Sequence, residues 1–208
     1  MTVGILLFPD VEELDFVGPW EMFGMWHQVA DGPGCLTVAE HKAPVRCAKG
    51  LSVNPDVGFD DCPPLDYLVV PGGQGTRTEV DNARLVSFIA ARGHTCKAVL
   101  SVCTGAFLLQ AAGLLAGKQA TTHWSTLKRL RGMPGVTVVE QRYVQTDRIW
   151  TAAGVSAGID AALAMIASVA GEEAASKVQF AAEYYPSTTR YGALHTTHPS
   201  APAYVRDA

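Results

Sequence analysis

The segment best suited to chemistry is the run around Cys103, where an apolar stretch leads into a cysteine, small residues and a second apolar stretch. Residues 98–102 predict a buried strand and residues 105–109 a helix, so Cys103 is expected on a tight strand-to-helix turn that exposes a nucleophile. A helix N-terminus favours thiolate over thiol, which predicts a lowered pKa for Cys103. The neighbouring N–H groups, including that of Thr104, can hold a developing negative charge. A buried cysteine with a structural role is the alternative interpretation.

A second candidate is the glycine-rich turn Pro71–Gly75, which follows the apolar run Tyr67–Val70. Without Cβ atoms its backbone can approach a ligand closely. The turn has neither a Gly-Lys-Ser/Thr ending nor G-x-G-x-x-G, so we do not expect a nucleotide site. If its strand lies next to the strand before Cys103, both turns meet at the carboxyl edge of the sheet. The N–H of Gly73 could then form an anion hole with that of Thr104, whereas a purely structural turn is the alternative.

A carboxylate for acid/base chemistry is offered by the loop after the first apolar run. Asp15 is flanked by Leu14 and Phe16, and Gly18-Pro19 predict the start of a helix just beyond it. A carboxyl group in such a partly dry place, beside a thiolate, is expected to have a raised pKa and to donate a proton. A helix-capping carboxylate is the alternative.

Histidine gives a weaker signal. The residue directly after the candidate nucleophile is Thr104, so a Cys-His pair of consecutive residues is absent. His123, beside Trp124, either supplies an imidazole from the next strand or has a structural role. The other histidines show no ligand spacing with cysteine or acidic residues, so we expect no metal site.

The elements that must position these residues follow from hydrophobic patterning. Short apolar runs that end in Pro, Gly or small residues are typical of strands buried on both faces of a parallel sheet; they lie at residues 3–8, 67–70 and 98–102. Helical periodicity fills the intervals, at residues 20–26, 85–89, 107–115 and 159–169. Weaker patterns predict short strands or hairpins at residues 35–53 and 137–151. This alternation predicts an α/β fold, with a doubly wound, mostly parallel sheet and helices on both faces.

Composition limits the class of protein. The chain has 208 residues, 48% hydrophobic and 17% charged, with a formal net charge of −4. A chain of this length buries roughly 70–75% of its unfolded surface, enough for a core without disulfides. We expect one domain over residues 1–186 and an irregular tail over 187–208, packed on a neighbouring subunit. Because runs of Lys and Arg are absent, we expect no binding to nucleic acid or to a membrane.

Cysteine number and the N-terminal residues indicate the compartment. Five cysteines without C-x-x-C spacing fit neither a disulfide framework nor a zinc site. The apolar start of the chain ends after about eight residues, too short for a signal sequence or a membrane span. We therefore expect a cytoplasmic protein with free thiols.

Together these motifs resemble the ThiJ/PfpI family of the class I glutamine-amidotransferase-like superfamily, and within it the isocyanide (isonitrile) hydratases. The resemblance covers residues 3–186 in order. It is carried by Leu14-Asp15 with Gly18-Pro19, by Asp60–Asp66 before the glycine turn, and by Ser101–Gly105, Ala112–Leu115, Ala120–Trp124 and Gly154–Asp160. The blocks around Cys103 and His123 also resemble the amino-terminal domains of AraC-type regulators.

The resemblance implies a flavodoxin-like homodimer that adds water to a small-molecule isocyanide, R–N≡C, and releases an N-substituted formamide without metal or organic cofactor. It implies Cys103 as nucleophile and Asp15 as acid/base. Thr104 would donate its backbone N–H, and its hydroxyl, to Cys103, while Gly73 and Gly154 line the substrate. A thiolate and a carboxylic acid then yield a thioimidate, which water activated by the ionised Asp15 hydrolyses.

Three other functions remain open. The first is a non-catalytic ligand-sensing domain like those of AraC-type regulators. Those regulators carry helix-turn-helix motifs after this domain, where this chain has only the segment after Pro186. An amidase or peptidase of the superfamily is disfavoured by Thr104 in place of His. A redox or glyoxal-handling protein is disfavoured by Asp15, since those relatives tend to have Glu. The hydratases that this chain resembles have a run of glycines before the helix that covers the site, whereas this chain has Ala152-Ala153-Gly154. The two alanine methyl groups would stiffen that turn and narrow the substrate pocket.

Overall fold

A seven-stranded sheet organises the computed structural model, which describes residues 1–206. The strands of the described residues are β1 (Thr2–Leu6), β2 (Gly34–Ala39), β3 (Val45–Arg46), β4 (Ser52–Val53), β5 (Val57–Gly58), β6 (Tyr67–Val70), β7 (Ala98–Val102), β8 (Lys118–Ala120), β9 (Val136–Val138), β10 (Tyr143–Thr146) and β11 (Ile149–Ala152). The helices are α1 (Glu13–Val29), α2 (Thr76–Glu79), α3 (Ala83–Thr95), α4 (Gly105–Ala111), α5 (Leu127–Arg131), α6 (Ala157–Ala170), α7 (Glu172–Ala181), α8 (Leu194–Thr197) and α9 (Ala203–Arg206), with a 3-10 turn at Trp124–Thr126.

The main sheet has the order β10-β11-β7-β6-β1-β2-β5 and is parallel except for the β10–β11 hairpin. From β1 the chain passes through α1 to β2 on one side, and it later returns to β6 on the other side of β1. This reversal creates a topological switch point between β1 and β6, and right-handed crossovers place the helices of the two halves on opposite faces. The predicted doubly wound, mostly parallel α/β fold is confirmed.

The central strands read as continuous apolar runs because helices cover both of their faces. Strands β6 and β7 are buried at every residue, as is β1 after Thr2. Helices α1, α6 and α7 pack against one another, and α3 packs against α4. Such two-sided burial is typical of parallel sheets.

Two segments differ from the sequence prediction. Residues 34–39 form a full strand of the main sheet, paired with β1, and only β3 and β4 form the expected small hairpin. Helix α1 begins at Glu13, five residues before the predicted start at Gly18, so Asp15 lies in its first turn and Pro19 lies inside it. A carboxylate in a first turn, such as that of Glu13, is stabilised by the positive end of the helix dipole, which favours the early start.

The segment after Pro186 contains the single-turn helices α8 and α9 and is exposed along most of its length. It returns to the body of the protein at Ala201 and Pro202, both of which are buried. Residues 207–208 of the predicted irregular tail lie outside the described residues. Within residues 1–206 we find no helix that combines the length and the apolar character needed to cross a membrane. All five cysteines belong to the described part of the chain and are free thiols.

Candidate active site

Four adjacent parallel strands bring the candidate residues to the carboxyl edge of the sheet. Asp15 follows β1, Gly72 and Gly73 follow β6, Cys103 directly follows β7, and Val155 follows β11. Ligands bind at this edge in open α/β sheets, close to the topological switch point. The fold therefore brings Asp15, Gly73 and Cys103, which were selected from the sequence, to one edge of the sheet, together with Gly72 and Val155.

Cys103 occupies a tight turn between β7 and α4, with a positive φ of 56° that non-glycine residues rarely adopt. Its N–H donates to the carbonyl oxygens of Ala152 (3.2 Å) and Ala153 (2.9 Å). Its carbonyl oxygen accepts a hydrogen bond of 2.7 Å from the hydroxyl of Thr122. These bonds hold the strained backbone in place, and such local strain is typical of functional sites.

The backbone N–H groups of Thr104 and Val155 and the Thr104 side chain lie close enough to the sulfur of Cys103 to lower the pKa of its thiol. The Thr104 hydroxyl itself donates to the carbonyl oxygen of Gly73 at 3.2 Å. Burial nevertheless raises the pKa of the thiol to about 12, and the negative charge of Asp15 raises it further, against the lowering effect of those donors. The predicted lowering of the Cys103 pKa is therefore wrong. Loss of solvation outweighs the contribution of a helix that is only seven residues long. The resting site holds a thiol, whose proton must leave before or during attack.

Asp15 is fully buried, and its Oδ2 accepts a 2.9 Å hydrogen bond from the N–H of Gly72. Burial raises the pKa of Asp15 to about 8 and Glu12 raises it further, while Gly72, Cys103 and Lys49 act in the opposite direction. The shift has the direction expected from the sequence. Asp15 is the third residue of α1, and the N-cap position belongs to Glu12, whose side chain makes no capping hydrogen bond; the alternative of Asp15 as a helix cap is therefore wrong. Near neutral pH this group is a carboxylic acid beside a thiol.

The second oxygen of Asp15 is available for chemistry. Oδ1 is buried and makes no well-aligned hydrogen bond within residues 1–206. The Cys103 thiol lies close enough to Asp15 to lower the pKa of its carboxyl group. A proton on this carboxyl group can therefore be shared with the sulfur or passed to a substrate atom placed between the two.

Glycine is required at position 72 because Asp15 and Thr104, the residue after Cys103, approach the same backbone. A Cβ there would lie 2.5 Å from the Thr104 nitrogen and 2.8 Å from Asp15 Oδ2. Real Cβ contacts are longer than these distances, so a side chain would push the two loops apart. The glycine turn is predicted to let a ligand approach its backbone closely; in the structure it is Asp15 and Thr104 that approach the backbone at Gly72.

Gly73 takes a role different from the predicted one. Its φ of 124° lies in the region that favours glycine, and its N–H donates to the Thr104 hydroxyl at 3.0 Å. This N–H is engaged, so it does not complete an anion hole with Thr104 in this arrangement. The Thr104 hydroxyl also lies 3.1 Å from that of Thr76. Gly73 and Thr76 therefore orient Thr104, and Val155 supplies the second backbone donor beside the sulfur.

Val155 is the residue that sequence reasoning missed. It has a positive φ of 36° and follows Gly154, at the turn before α6. A backbone N–H donor leaves no side-chain signature, and the available signal was only a glycine ahead of a helix. Gly154, predicted to line the substrate, precedes this donor, and a Cβ there would lie 2.5 Å from Cδ2 of His123.

His123 packs its ring against Gly154 and is half-buried. Its Nδ1 lies 2.8 Å from the Ser125 hydroxyl, and its pKa is lowered by burial, which the charge of Glu12 partly opposes. The imidazole is therefore neutral near pH 7. It borders the turn that carries Val155 and Ser156.

Comparison with known proteins gives consistent matches along the chain. Residues 1–168 match the DJ-1/PfpI family. The isonitrile hydratase of Pseudomonas putida is 36% identical over 201 residues, which cover 97% of this chain and 86% of that protein. The crystal structure of a ThiJ/PfpI family protein from Pseudomonas syringae superposes with a TM-score of 0.86 at 36% identity, covering 99% of this chain and 83% of that one. The HTH-type transcriptional regulator GbdR of Pseudomonas aeruginosa is 30% identical over 135 residues, which are 64% of this chain and 36% of the regulator.

Proposed function

Because this chain belongs to the DJ-1/PfpI family, we propose that it is an enzyme that adds water to an isocyanide and releases an N-substituted formamide. The observation that carries the proposal is the pairing of the Cys103 thiol, on a strained turn, with a buried Asp15 whose pKa is raised to about 8. The similarity to the Pseudomonas putida isonitrile hydratase supports the choice of substrate, since it extends over 97% of this chain.

The first half of the proposed reaction forms a covalent thioimidate. Asp15 donates its proton to the terminal carbon of R–N≡C, which makes that carbon electrophilic, and the sulfur of Cys103 attacks the same carbon. The thiol proton passes to the Asp15 carboxylate as the C–S bond forms. The product is R–N=CH–S–Cys103, and Asp15 is again a carboxylic acid.

The second half consumes water. Water adds to the thioimidate carbon while Asp15 donates its proton to nitrogen and accepts one from the water. Collapse of the tetrahedral species breaks the C–S bond and forms the formamide carbonyl. The hydroxyl proton passes to the sulfur, so the reaction is the sum of isocyanide and water, and the thiol is restored.

The backbone donors stabilise the sulfur while it lacks a proton. The N–H groups of Thr104 and Val155 lie close enough to the sulfur to lower the pKa of the thiol, and they are in place before the reaction begins. Such preorganised donors stabilise charge that develops in the transition state. This explains how a thiol with a raised pKa can act as a nucleophile once Asp15 provides a route for its proton.

The proposal is tested by incubating the purified protein with cyclohexyl isocyanide and following formamide by NMR, with mass spectrometry of quenched protein to detect the adduct on Cys103. We expect turnover by the unsubstituted protein and a loss of at least about 100-fold in Cys103→Ala and Asp15→Asn. Cys35 lies near the amino-terminal end of β2, whereas the site lies at the carboxyl edge of the sheet. Cys35→Ala is therefore the matched control and should retain activity. No turnover by the unsubstituted protein, or full turnover by Cys103→Ala, would refute the proposal.

A ligand-sensing domain is the second candidate, since GbdR matches 64% of this chain. A sensor would bind a small molecule without converting it, so the same incubation separates the two functions. The paired acid and thiol favour the enzyme, because binding alone does not require a proton donor next to a nucleophile.

We also infer that the protein acts as a homodimer in the cytoplasm. The exposed apolar side chains Leu14 and Val17 on α1 support a face that a second subunit covers. Sedimentation velocity at micromolar concentration tests the dimer, and a monomer would contradict it.

A further inference from the structure

The ion pair between Glu12 and Lys49 is a charged feature next to the acid that the proposed reaction leaves without a role. Glu12 is the N-cap residue of α1, and Lys49 lies in the turn between β3 and β4. The ammonium group of Lys49 contacts Glu12 Oε1 and lies 4.0 Å from Glu13 Oε2. The side chain of Glu12 is 18% exposed and that of Lys49 is 66% exposed. Glu12 is therefore the more enclosed member of the pair.

Backbone contacts attach the hairpin of β3 and β4 to the start of α1. The N–H of Lys49 donates to Glu13 Oε1 at 2.7 Å. The N–H of Ala48 donates to the carbonyl oxygen of Val11 at 2.9 Å. Neither bond involves the ammonium group of Lys49. A substitution that removes this charge therefore leaves the hairpin attached.

Gly72 connects Glu12 to Asp15 through its backbone. The N–H of Glu12 donates to the carbonyl oxygen of Gly72 at 2.9 Å, and the N–H of Gly72 donates to Asp15 Oδ2 at 2.9 Å. Glu12 and Asp15 are the N-cap and the third residue of α1, two positions that are neighbours on the helix surface. Glu12 is thus held at a fixed place close to the acid.

The two charges of the pair act on Asp15 in opposite directions. Glu12 raises the pKa of the Asp15 carboxyl and Lys49 lowers it, and the effect of Glu12 is the larger of the two. Cys103, on the turn after β7, also lowers this pKa. The charge of Glu12 therefore favours the carboxylic acid, and the charge of Lys49 favours the carboxylate.

The ionisable groups on the other elements near α1 are engaged elsewhere or neutral. On α6, Asp160 forms an ion pair of 2.6 Å with Arg142. On α7, Glu173 and Lys177 form an ion pair of 2.9 Å with each other. Burial lowers the pKa of His123, so its imidazole is neutral near pH 7. The pair of Glu12 with Lys49 is thus the arrangement of charges through which the surroundings can adjust the acid.

We propose that Glu12 and Lys49 are positioning residues of the active site, and that their charges set how readily Asp15 gives up and regains its proton. This inference rests on the proposed function and deepens it. An acid/base group is most effective when its pKa lies near the working pH. Glu12 favours the protonated acid that begins the reaction, and Lys49 opposes it, so that the proton is not held too tightly to be donated.

The experiment measures the pKa of Asp15 by NMR of protein labelled with ¹³C at its aspartate carboxyl groups, the Asp15 signal being identified by its loss in Asp15→Asn. Glu12→Gln removes the negative charge and Lys49→Met the positive one, and both keep the backbone contacts described above. We expect the pKa to fall in Glu12→Gln and to rise in Lys49→Met, each by about half a pH unit or more, the scale of one partly solvated charge.

Two control variants separate charge from structure. Lys49→Arg keeps the positive charge and should leave the pKa of Asp15 unchanged. Glu21→Gln removes a carboxylate from the exposed side of the same helix and should also leave it unchanged. A purely structural role of the ion pair predicts lower unfolding midpoints in both Glu12→Gln and Lys49→Met, without shifts of opposite sign.

A second readout uses the reaction itself. The pH at which kcat/KM for cyclohexyl isocyanide falls to half should move down in Glu12→Gln and up in Lys49→Met. If the unsubstituted protein hydrates the isocyanide but the two variants show no shift, or shifts of the same sign, this inference is refuted and the hydratase function stands. If it hydrates no isocyanide, the proposed function is refuted, and the NMR titration still decides whether the two charges set the proton affinity of Asp15.

Discussion

Replacing Asp15 by Asn measures how strongly the fold disfavours a charge at the position of the acid. The pKa of Asp15 is raised by burial from 3.8 to about 8, so the folded protein holds this proton more tightly than the unfolded chain does. The stability contributed by the proton is present in full below pH 4 and is lost as the pH rises through about 8. Over this interval the slope approaches about 1.4 kcal/mol per pH unit. An interval of about four pH units sets an upper limit of about 6 kcal/mol.

Asn has the shape of protonated Asp, and its amide oxygen can accept the hydrogen bond from Gly72, but it does not ionise. We therefore expect the free energy of unfolding of Asp15→Asn, relative to the unsubstituted protein, to increase by about 4 kcal/mol between pH 5 and pH 8. Urea unfolding at four pH values in this range measures the difference. Glu21→Gln is the matched control, because it removes a carboxylate from the exposed side of the same helix. A difference that is constant with pH would refute the reasoning that Asp15 is protonated in the folded state.

Three further predictions concern the same site. The kcat/KM for isocyanide hydration should fall as the pH rises through about 8, because Asp15 then loses the proton it donates; a pH profile that still rises at pH 9 would contradict this. Gly72→Ala should lower the rate at least about tenfold, since its Cβ would lie 2.5 Å from the Thr104 nitrogen. Gly24→Ala, with no described atom beyond its own helix within 4 Å, should leave the rate of formamide formation unchanged. Thr104→Val deprives the Gly73 N–H of its acceptor, so urea unfolding should show a loss of about 1–3 kcal/mol, and a loss no greater than that of Thr104→Ser would count against this contact.

Much of the scaffold could be predicted because the local pattern and the fold agree. Apolar runs closed by small residues identify β6 and β7, and the residues after them form the predicted turns. The resemblance to the ThiJ/PfpI family is confirmed by the match over residues 1–168. The meeting of Asp15 with Cys103 follows from topology, since adjacent parallel strands place their carboxyl ends at one edge.

The electrostatics of the site could be predicted for Asp15, whose pKa is raised as expected, but not for Cys103, because the pKa of the thiol depends on the balance between burial and local dipoles. The strand-to-helix turn indicated a lowered pKa for Cys103, whereas burial raises it to about 12. The N–H donor of Val155 and the hydrogen bond from Gly73 to Thr104 involve backbone atoms, which are the same in every residue type. The return of the C-terminal segment depends on contacts with Trp124, a residue more than 70 positions earlier in the sequence.

The raised pKa of Cys103 also has a consequence for the lifetime of the protein. Peroxides and other small electrophiles react with thiolates far faster than with thiols, so a sulfur that keeps its proton at rest is chemically sheltered. In the proposed reaction, that proton leaves through Asp15 once a substrate that lies between the two groups has taken the proton of the carboxylic acid. In the proposed reaction, the same burial that slows ionisation thus protects the sulfur of Cys103 from damage between turnovers and restricts its reactivity to molecules that enter the site.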